Sequence, residues 1–245
     1  MDIEQAVDRL AADLAADGTP ERAVQEAAYL KSSLAFLGAT VPTVRRHAKA
    51  FVKAHPDLDR ATLLRLVEEL WSRDVGELRA LAIELLEARG TLLVADDIAL
   101  LEQLLRTSNT WAYVDSLAAS VVGPLVERCP SLTTTLDRWA TDGDFWMRRS
   151  AMLALLIPLR QGRGDLDRFL RYANAMLDEK EFFIRKAIGW VLRDVSRKRP
   201  EAVYAWLLPR VSRVSGLTLR EAVRHLPQDR REALLAAYAA RRGTA

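Results

Sequence analysis

The sequence has one cysteine, three histidines and no long uncharged apolar run, and each scarcity argues against a class of protein. A single cysteine, Cys129, cannot form an internal disulfide framework or a cysteine-based zinc site. His47, His55 and His225 are scattered without metal-ligand spacing, so no metal site is predicted. No stretch approaches the roughly 20 apolar residues of a membrane-spanning helix. The charged opening segment, MDIEQAVDRLAADLAADG, predicts neither a signal peptide nor an anchor, and we expect a cytoplasmic protein with no membrane contact.

Motifs of several common enzyme classes are also missing. The sequence contains no G-x-S-x-G, no P-loop and no G-x-G-x-x-G. Serine hydrolysis on a nucleophile elbow and dinucleotide chemistry therefore have no support, and no cofactor is predicted.

Charge is distributed unevenly along the 245 residues. Residues 1–144 carry 15 Lys/Arg against 23 Asp/Glu, whereas residues 145–245 carry 21 against 10. Most cations are arginines, which form bidentate contacts with phosphate more readily than lysines do. The basic half is therefore a candidate surface for a polyanion such as nucleic acid.

Apolar residues recur at helical spacing, and no run alternates as a half-buried strand does. Segments such as FLGATVP, VVGPLVERCPS, RKRPEA and VSGLT are interpreted as caps and breaks between helices. The predicted fold class is all-α.

A short helical segment repeats along the chain with a period of 35 or 36 residues. It reads RALAIEL at 79, VDSLAAS at 114, RSAMLAL at 149, RKAIGWV at 185 and REAVRHL at 220. A unit of this length cannot bury its apolar face alone, so stacked helix pairs are expected. The prediction is a single domain over residues 1–245, built as a curved α-solenoid of HEAT-like repeats.

Each column of this alignment shows what an ordinary repeat places at one position. The first column is Arg79, Val114, Arg149, Arg185 and Arg220, which predicts a cationic ladder along one face, interrupted at the second repeat. The alternative is that each arginine ties its repeat to the next through a carboxylate.

The second column is small or polar throughout and is expected to face solvent; it contains Ala80, Asp115, Ser150, Lys186 and Glu221.

Two tryptophans occupy different kinds of column. Trp111 shares its column with Gly76, Trp146, Phe182 and Leu217, which indicates a packing role. The column of Trp190 consists of Glu84, Ala119, Ala154, Trp190 and His225, which is not a core pattern. An exposed indole at Trp190 therefore requires something to cover it.

Five motifs follow one another along the chain: YLKSSLAFLGATVPTVRR, TWAYVDS, DFWMRRSAMLALL, KEFFIRKAIGWVLRDV and LTLREAVRHL. In this order they resemble the bacterial DNA alkylation repair family of HEAT-like-repeat DNA glycosylases, and the resemblance spans about residues 22–230. It implies excision of N3- and N7-alkylated purines, such as 3-methyladenine and 7-methylguanine, from double-stranded DNA held on the concave face of the solenoid.

The resemblance also implies the site residues. The active cleft of the family corresponds to Trp111, Asp115, Arg149 and Trp190, and the repeat register favours Arg149 over Arg148 as the side chain that faces DNA. The further candidates for DNA contact are Arg148, Arg185, Lys186, Arg193, Arg220, Tyr29 and Lys31.

These residue types suit that chemistry. An alkylated purine of this kind is cationic and leaves as a neutral base, so it needs no general acid. A carboxylate at Asp115 can stabilise the oxocarbenium ion and orient water, while indoles contact the cationic lesion and Arg149 holds a phosphate. No lysine is singled out for a lyase step, so a monofunctional enzyme is predicted. We also expect a monomer. The alternative is a non-catalytic helical-repeat scaffold that binds nucleic acid or protein, for which Asp115 has no evident use.

Overall fold

The computed structural model describes residues 1–240, which are almost entirely helical. The helices are α1 (Ile3–Ala16), α2 (Pro20–Leu30), α3 (Val41–Ala54), α4 (Arg60–Ser72), α5 (Gly76–Ala88), α6 (Ile98–Thr107), α7 (Trp111–Ser116), α8 (Gly123–Arg128), α9 (Thr133–Trp139), α10 (Phe145–Leu153), α11 (Leu156–Arg160), α12 (Leu166–Ala175), α13 (Phe182–Ser196), α14 (Pro200–Leu207), α15 (Gly216–Ala222) and α16 (Gln228–Ala240). In residues 1–240 the only β pairing is an isolated bridge between Ala35 and Val75. The prediction of an all-α fold is confirmed.

Several of these helices start where the sequence supplies a cap. The side chains of seven Asp, Ser or Thr residues accept a hydrogen bond from a backbone N–H of the first turn, and these caps are Asp2, Thr19, Thr40, Asp59, Asp144, Asp165 and Ser215. Each cap satisfies one of the N–H groups that a helix start leaves unpaired.

The contacts divide the chain into two compact units, Met1–Pro130 and the remainder from Ser131. In the N-terminal unit, α3 and α4 pack against α5, nine of whose 13 residues are buried. In the C-terminal unit, α13 is central and packs against α10, α11, α14 and α15. The five repeated sequence segments begin in α5, α7, α10, α13 and α15, which confirms a helical-repeat fold.

Arginines join neighbouring repeats through backbone carbonyls. Arg89, Arg128 and Arg199 each donate to carbonyls about one repeat earlier in the chain. The acceptors are Val52, His55 and Pro56 for Arg89, Gly90 and Leu93 for Arg128, and Gly162 for Arg199. These carbonyls lie at or just beyond helix C-termini, where a cation is favoured by the helix dipole and by unpaired acceptors. Part of the arginine content therefore serves the fold.

The FLGAT segment between α2 and α3 is anchored by a buried carboxylate. Glu77 is 5% exposed and accepts hydrogen bonds from the backbone N–H groups of Leu37, Gly38 and Ala39. Gly38 has φ 82°, and a Cβ there would lie 2.0 Å from the carbonyl oxygen of Thr19. Only glycine fits this close approach.

In the described residues, no helix has both the length and the apolar character that crossing a bilayer requires.

Candidate active site and nucleic-acid interface

The helix α7 begins at Trp111 and carries Asp115 one turn later. The chain enters it sharply, because Asn109 has a left-handed backbone (φ 53°) and Thr110 an extended one (φ −152°, ψ 147°). Asparagine tolerates the left-handed region better than most residues do. Trp111 and Asp115 are both half-buried, so each keeps solvent-accessible surface.

Directly after Asp115 the helix changes its winding. Residues Leu117–Val122 form a π-helix, which continues without a break into α8. Pro124 lies in the first turn of α8 and has no N–H to donate to the carbonyl of Ser120, so an uninterrupted α-helical ladder cannot pass this point. π-helical turns are rare and frequently lie at functional sites. The expectation that the VVGPLVERCPS segment separates helices is therefore wrong at Gly123 and Pro124, which lie within one helical segment.

Tyr29 and Lys31, both candidates for DNA contact, lie at the end of α2. The Tyr29 ring meets the Trp111 ring edge to face, with ring centroids 5.8 Å apart and an interplanar angle of 87°. Tyr29 is 67% exposed, and Lys31 is exposed in a left-handed backbone conformation (φ 49°). The N-terminal unit thus brings Tyr29 and Trp111 together as an aromatic pair open to solvent.

In the C-terminal unit, Trp190 lies in the middle of α13 and is half-buried. It lines a hollow of about 560 Å³ together with Arg160, Arg193, Asp194 and Arg197. The Asp194 carboxylate is 5% exposed and accepts hydrogen bonds from Arg160 at 2.7 Å and from Arg193 at 3.4 Å. Three guanidinium groups against one carboxylate leave this hollow with an excess of positive charge.

The pKa of His225 is influenced by two of the same arginines. Its pKa is lowered from the ordinary histidine value by burial, and further by the positive charges of Arg197 and Arg193, while Asp194 acts in the opposite direction. The contributions of Arg197 and Arg193 to this shift have the sign that nearby positive charges produce.

The position of Arg149 differs from the expectation that it faces DNA. Arg149 is 2% exposed, its Nη1 donates to the carbonyl of Phe183, and its guanidinium lies 5.7 Å from the centre of the Phe183 ring. A guanidinium held in this way joins α10 to the start of α13 and has little surface left for a phosphate.

The adjacent Arg148 is also engaged. Its guanidinium forms a bidentate pair with Glu179, at 3.0 and 2.7 Å, and donates to the carbonyls of Asp142 and Gly143. A phosphate would have to compete with these four acceptors for Arg148.

The predicted cationic ladder is accordingly incomplete. Arg79, the equivalent of Arg149 in the first repeat, is 6% exposed and donates to the carbonyl of Thr107 at 2.7 Å. Both arginines tie one repeat to the next through a backbone carbonyl, and Arg79 also pairs with the Asp74 carboxylate at 2.7 Å. In the same column Arg185 is half-buried, with its Nε on the carbonyl of Glu179, and Arg220 is exposed.

The second column does not face solvent throughout. Ser150 is fully buried, and Glu221 is 5% exposed. The Glu221 carboxylate pairs with Lys186 at 2.9 Å and with Arg193 at 2.5 Å. Although burial acts to raise it, the pKa of Glu221 lies below its usual value because of these two cations. Lys186 and Arg193, both candidates for DNA contact, are therefore partly neutralised.

Gly189 allows α13 and α15 to approach one another at this point. A Cβ on Gly189 would lie 2.7 Å from the Cβ of Glu221 and 2.9 Å from the carbonyl oxygen of Thr218. The close packing of α13, which carries Trp190, against α15 therefore requires the glycine of the KAIGWV motif.

Three solved structures are similar to this one. A predicted DNA alkylation repair enzyme from Enterococcus faecalis has a TM-score of 0.78 and 24% sequence identity, covering 86% of this chain and 98% of that one. AlkD2 from Streptococcus mutans has a TM-score of 0.65 and 17% identity, covering 91% and 99%. The protein smu.31 from Streptococcus mutans UA159 has a TM-score of 0.62 and 17% identity, covering 92% and 100%. At these identities the similarity establishes a common fold.

No curated protein matches the sequence. A family model described as DNA alkylation repair enzyme, however, matches residues 10–226. Because this match spans most of the sequence, the chain belongs to the family of DNA alkylation repair enzymes.

Proposed function

We propose that the protein is a monofunctional DNA glycosylase that hydrolyses the N-glycosidic bond of cationic N3- or N7-alkylated purines in double-stranded DNA. It acts as a monomer and needs no cofactor. Membership of the family gives DNA alkylation repair as the process; the proposal names the bond that is cut and the class of lesion.

The observation that carries the proposal is the half-buried carboxylate of Asp115, one helical turn from the indole of Trp111 and directly before a π-helical turn. A carboxylate on a DNA-binding surface repels phosphates, so it weakens binding unless it has a chemical task. Breaking the glycosidic bond provides that task, because positive charge develops on the sugar as the base leaves.

The electrostatics favour a carboxylate in this role. Two opposite unit charges 4 Å apart interact by about 4 kcal/mol at an effective dielectric constant near 20. A carboxylate near the sugar thus stabilises the oxocarbenium ion more than the neutral ground-state sugar, and it can also orient the attacking water. The alkylated purine is already cationic and departs as a neutral base, so the reaction needs no acid to protonate it.

Aromatic residues of each unit are suited to contact the substrate. In the N-terminal unit Tyr29 and the half-buried Trp111 form a pair, and in the C-terminal unit Trp190 lies beside arginines. A cationic base or sugar against an indole gains roughly 0.5 to 2 kcal/mol through cation–π attraction.

The DNA backbone is held by cations other than Arg149. Arg197 lines the hollow of Trp190, where Arg160 and Arg193 share the Asp194 carboxylate, and Arg220 is exposed on α15. Phosphate contacts of this kind fix the register of the duplex without reading its sequence.

The experiment is release of free base from duplex DNA treated with a methylating agent, with 3-methyladenine and 7-methylguanine quantified separately. The proposal predicts release of both bases above the spontaneous rate and no covalent enzyme–DNA adduct on borohydride reduction, because no Schiff base forms. Tight binding of the methylated duplex without release would refute the proposal and leave the binding scaffold.

A further inference from the structure

A second pocket of the C-terminal unit, lined by other residues than the hollow of Trp190, combines positive charge with exposed aromatic surface. It has a volume of about 480 Å³ and lies among the segment before α13, the start of α15 and the end of α16. The lining residues that bear on its chemistry are Lys180, Phe182, Arg185, Gly216, Arg220 and Tyr238. Pockets that hold small ligands commonly measure about 300 to 1,000 Å³.

The three cations of this pocket are not neutralised by acids. Arg185 donates from Nε to the carbonyl of Glu179 at 2.7 Å. Within residues 1–240, none of Lys180, Arg185 and Arg220 forms an ion pair with a carboxylate. Of the neighbouring acids, Glu179 pairs with Arg148 and Glu221 with Lys186 and Arg193. Glu181 accepts a hydrogen bond from the backbone N–H of Phe183, and its single negative charge is outnumbered by the three cations. The pocket therefore has an unbalanced positive charge that suits a phosphate.

The aromatic surface faces solvent. Phe182 is 54% exposed and meets the Phe183 ring edge to face, with centroids 5.2 Å apart. Its repeat column indicates packing, but so large an exposed fraction shows that this phenylalanine is not simply a core residue. An exposed ring beside cations is the arrangement with which proteins stack an unpaired base while holding its phosphate.

Glycine forms part of the floor of the pocket. A Cβ at Gly216 would lie 3.0 Å from the Tyr238 hydroxyl oxygen and 3.1 Å from Nη1 of Arg220. Both polar groups therefore converge on a surface kept open by the absence of a side chain.

We propose that this pocket binds one unpaired nucleotide of a DNA strand, with its base on Phe182 and its phosphate on Arg185 and Arg220. The inference rests on the proposed function only in taking DNA as the source of the nucleotide. A fully paired duplex offers phosphates but no free base face, so it would leave the Phe182 ring unused. A free nucleotide has the same chemistry, and the test separates the two sources.

The test uses DNA without any alkylated base, so it does not depend on excision. Three ligands are titrated against the full chain: a duplex with one bulged 2-aminopurine, the same duplex with 2-aminopurine paired, and the free 2-aminopurine deoxynucleoside monophosphate. Affinity is measured by anisotropy over a salt series, and stacking by quenching of the 2-aminopurine fluorescence.

The expected result is about tenfold tighter binding of the bulged duplex than of the paired one, with additional quenching. Phe182→Ala removes this preference and leaves affinity for the paired duplex unchanged, whereas Phe182→Trp retains the preference. Arg220→Gln reduces the slope of log K against log salt by about 0.9 for the bulged duplex. Leu208→Ala and Arg231→Gln are the matched controls, because both residues are exposed and lie outside the pocket.

Equal affinity for bulged and paired duplexes, or a preference that survives Phe182→Ala, would overturn the inference. If the free nucleotide binds as tightly as the bulged duplex and depends equally on Phe182, the site takes free nucleotides and the DNA assignment is overturned. A protein that releases alkylated bases without any preference for the bulge refutes this inference alone. A protein with the preference that releases no base refutes the proposed function alone.

Discussion

Replacing Arg149 with methionine separates a structural arginine from a DNA-binding one. Methionine keeps much of the aliphatic volume but removes the guanidinium that donates to the carbonyl of Phe183 and lies over its ring. We expect this variant to lose thermal stability and to retain the salt dependence of DNA binding.

The magnitude follows from these contacts. A hydrogen bond from a charged donor contributes about 1.5 to 3 kcal/mol. The cation–π contact adds roughly 0.5 kcal/mol or more. A total of about 3 kcal/mol corresponds to a fall in melting temperature on the order of 8 °C for a protein of this size.

The assay combines thermal unfolding with DNA affinity over a salt series, and Arg220→Gln is the comparison. Arg220 is exposed, so its loss should change stability by under about 0.5 kcal/mol while removing about 0.9 from the salt slope. The reasoning is refuted if Arg149→Met melts like the wild type and loses one phosphate contact from its salt slope. That result would show that Arg149 contacts a DNA phosphate, as the sequence predicts.

Three further predictions concern α13 and its surroundings. Gly189→Ala should destabilise the protein by about 1 to 3 kcal/mol in thermal unfolding, because the added Cβ meets Glu221 and the backbone of Thr218, whereas Gly143→Ala, with no atom within 4 Å, should be close to neutral. Trp190→Ala should slow single-turnover excision by roughly 3- to 30-fold through the lost cation–π contact, and a stability loss of several kcal/mol instead would make Trp190 a core residue. Because the pKa of His225 is lower in the folded protein than in the unfolded chain, the unfolded chain binds more protons at acidic pH. The free energy of unfolding should therefore decrease as the pH falls below the unfolded pKa of about 6.5. Phosphates bound near His225 should raise its pKa. NMR titration of the imidazole with and without duplex DNA measures this change, and an unchanged pKa would show that the DNA binds away from His225.

The sequence predicts the helices and the repeat because both depend on local patterns. Apolar spacing near 3.6 residues and Asp, Ser or Thr caps act within one helix, and the repeated segments all begin in α-helices. The direction of an arginine side chain does not follow from such a pattern. Arg149 and Arg220 share a repeat column, yet one is 2% exposed and the other is exposed.

The physical reason is that arginine suits both environments. Its long apolar stem packs between helices, and its guanidinium satisfies either a phosphate or the free carbonyls at a helix end. The sequence does mark some of the structural arginines. Arg89, Arg128 and Arg199 each stand one or two residues before a glycine or proline, and each donates to a carbonyl about one repeat earlier. An excess of arginine in such a repeat therefore overstates the charge available to DNA.

The π-helical turn after Asp115 is another feature that the sequence does not reveal. Gly123 and Pro124 indicate a helix break, but the chain absorbs them by widening one turn and continuing into α8. The outcome depends on packing against α5 and α6, which a local pattern does not contain.

The rate of base release by Asp115→Asn on a methylated duplex tests the central claim most directly. The comparison is Asp57→Asn, which removes the same charge from an exposed position of the same unit. If Asp115 stabilises the sugar cation, Asp115→Asn should bind the duplex as well as the wild type or better. It should release alkylated purine about a hundredfold more slowly, which corresponds to a loss of roughly 3 kcal/mol of transition-state stabilisation. Asp57→Asn should release base at the wild-type rate. A wild-type rate from Asp115→Asn would contradict the account, because the carboxylate would then have no part in the reaction.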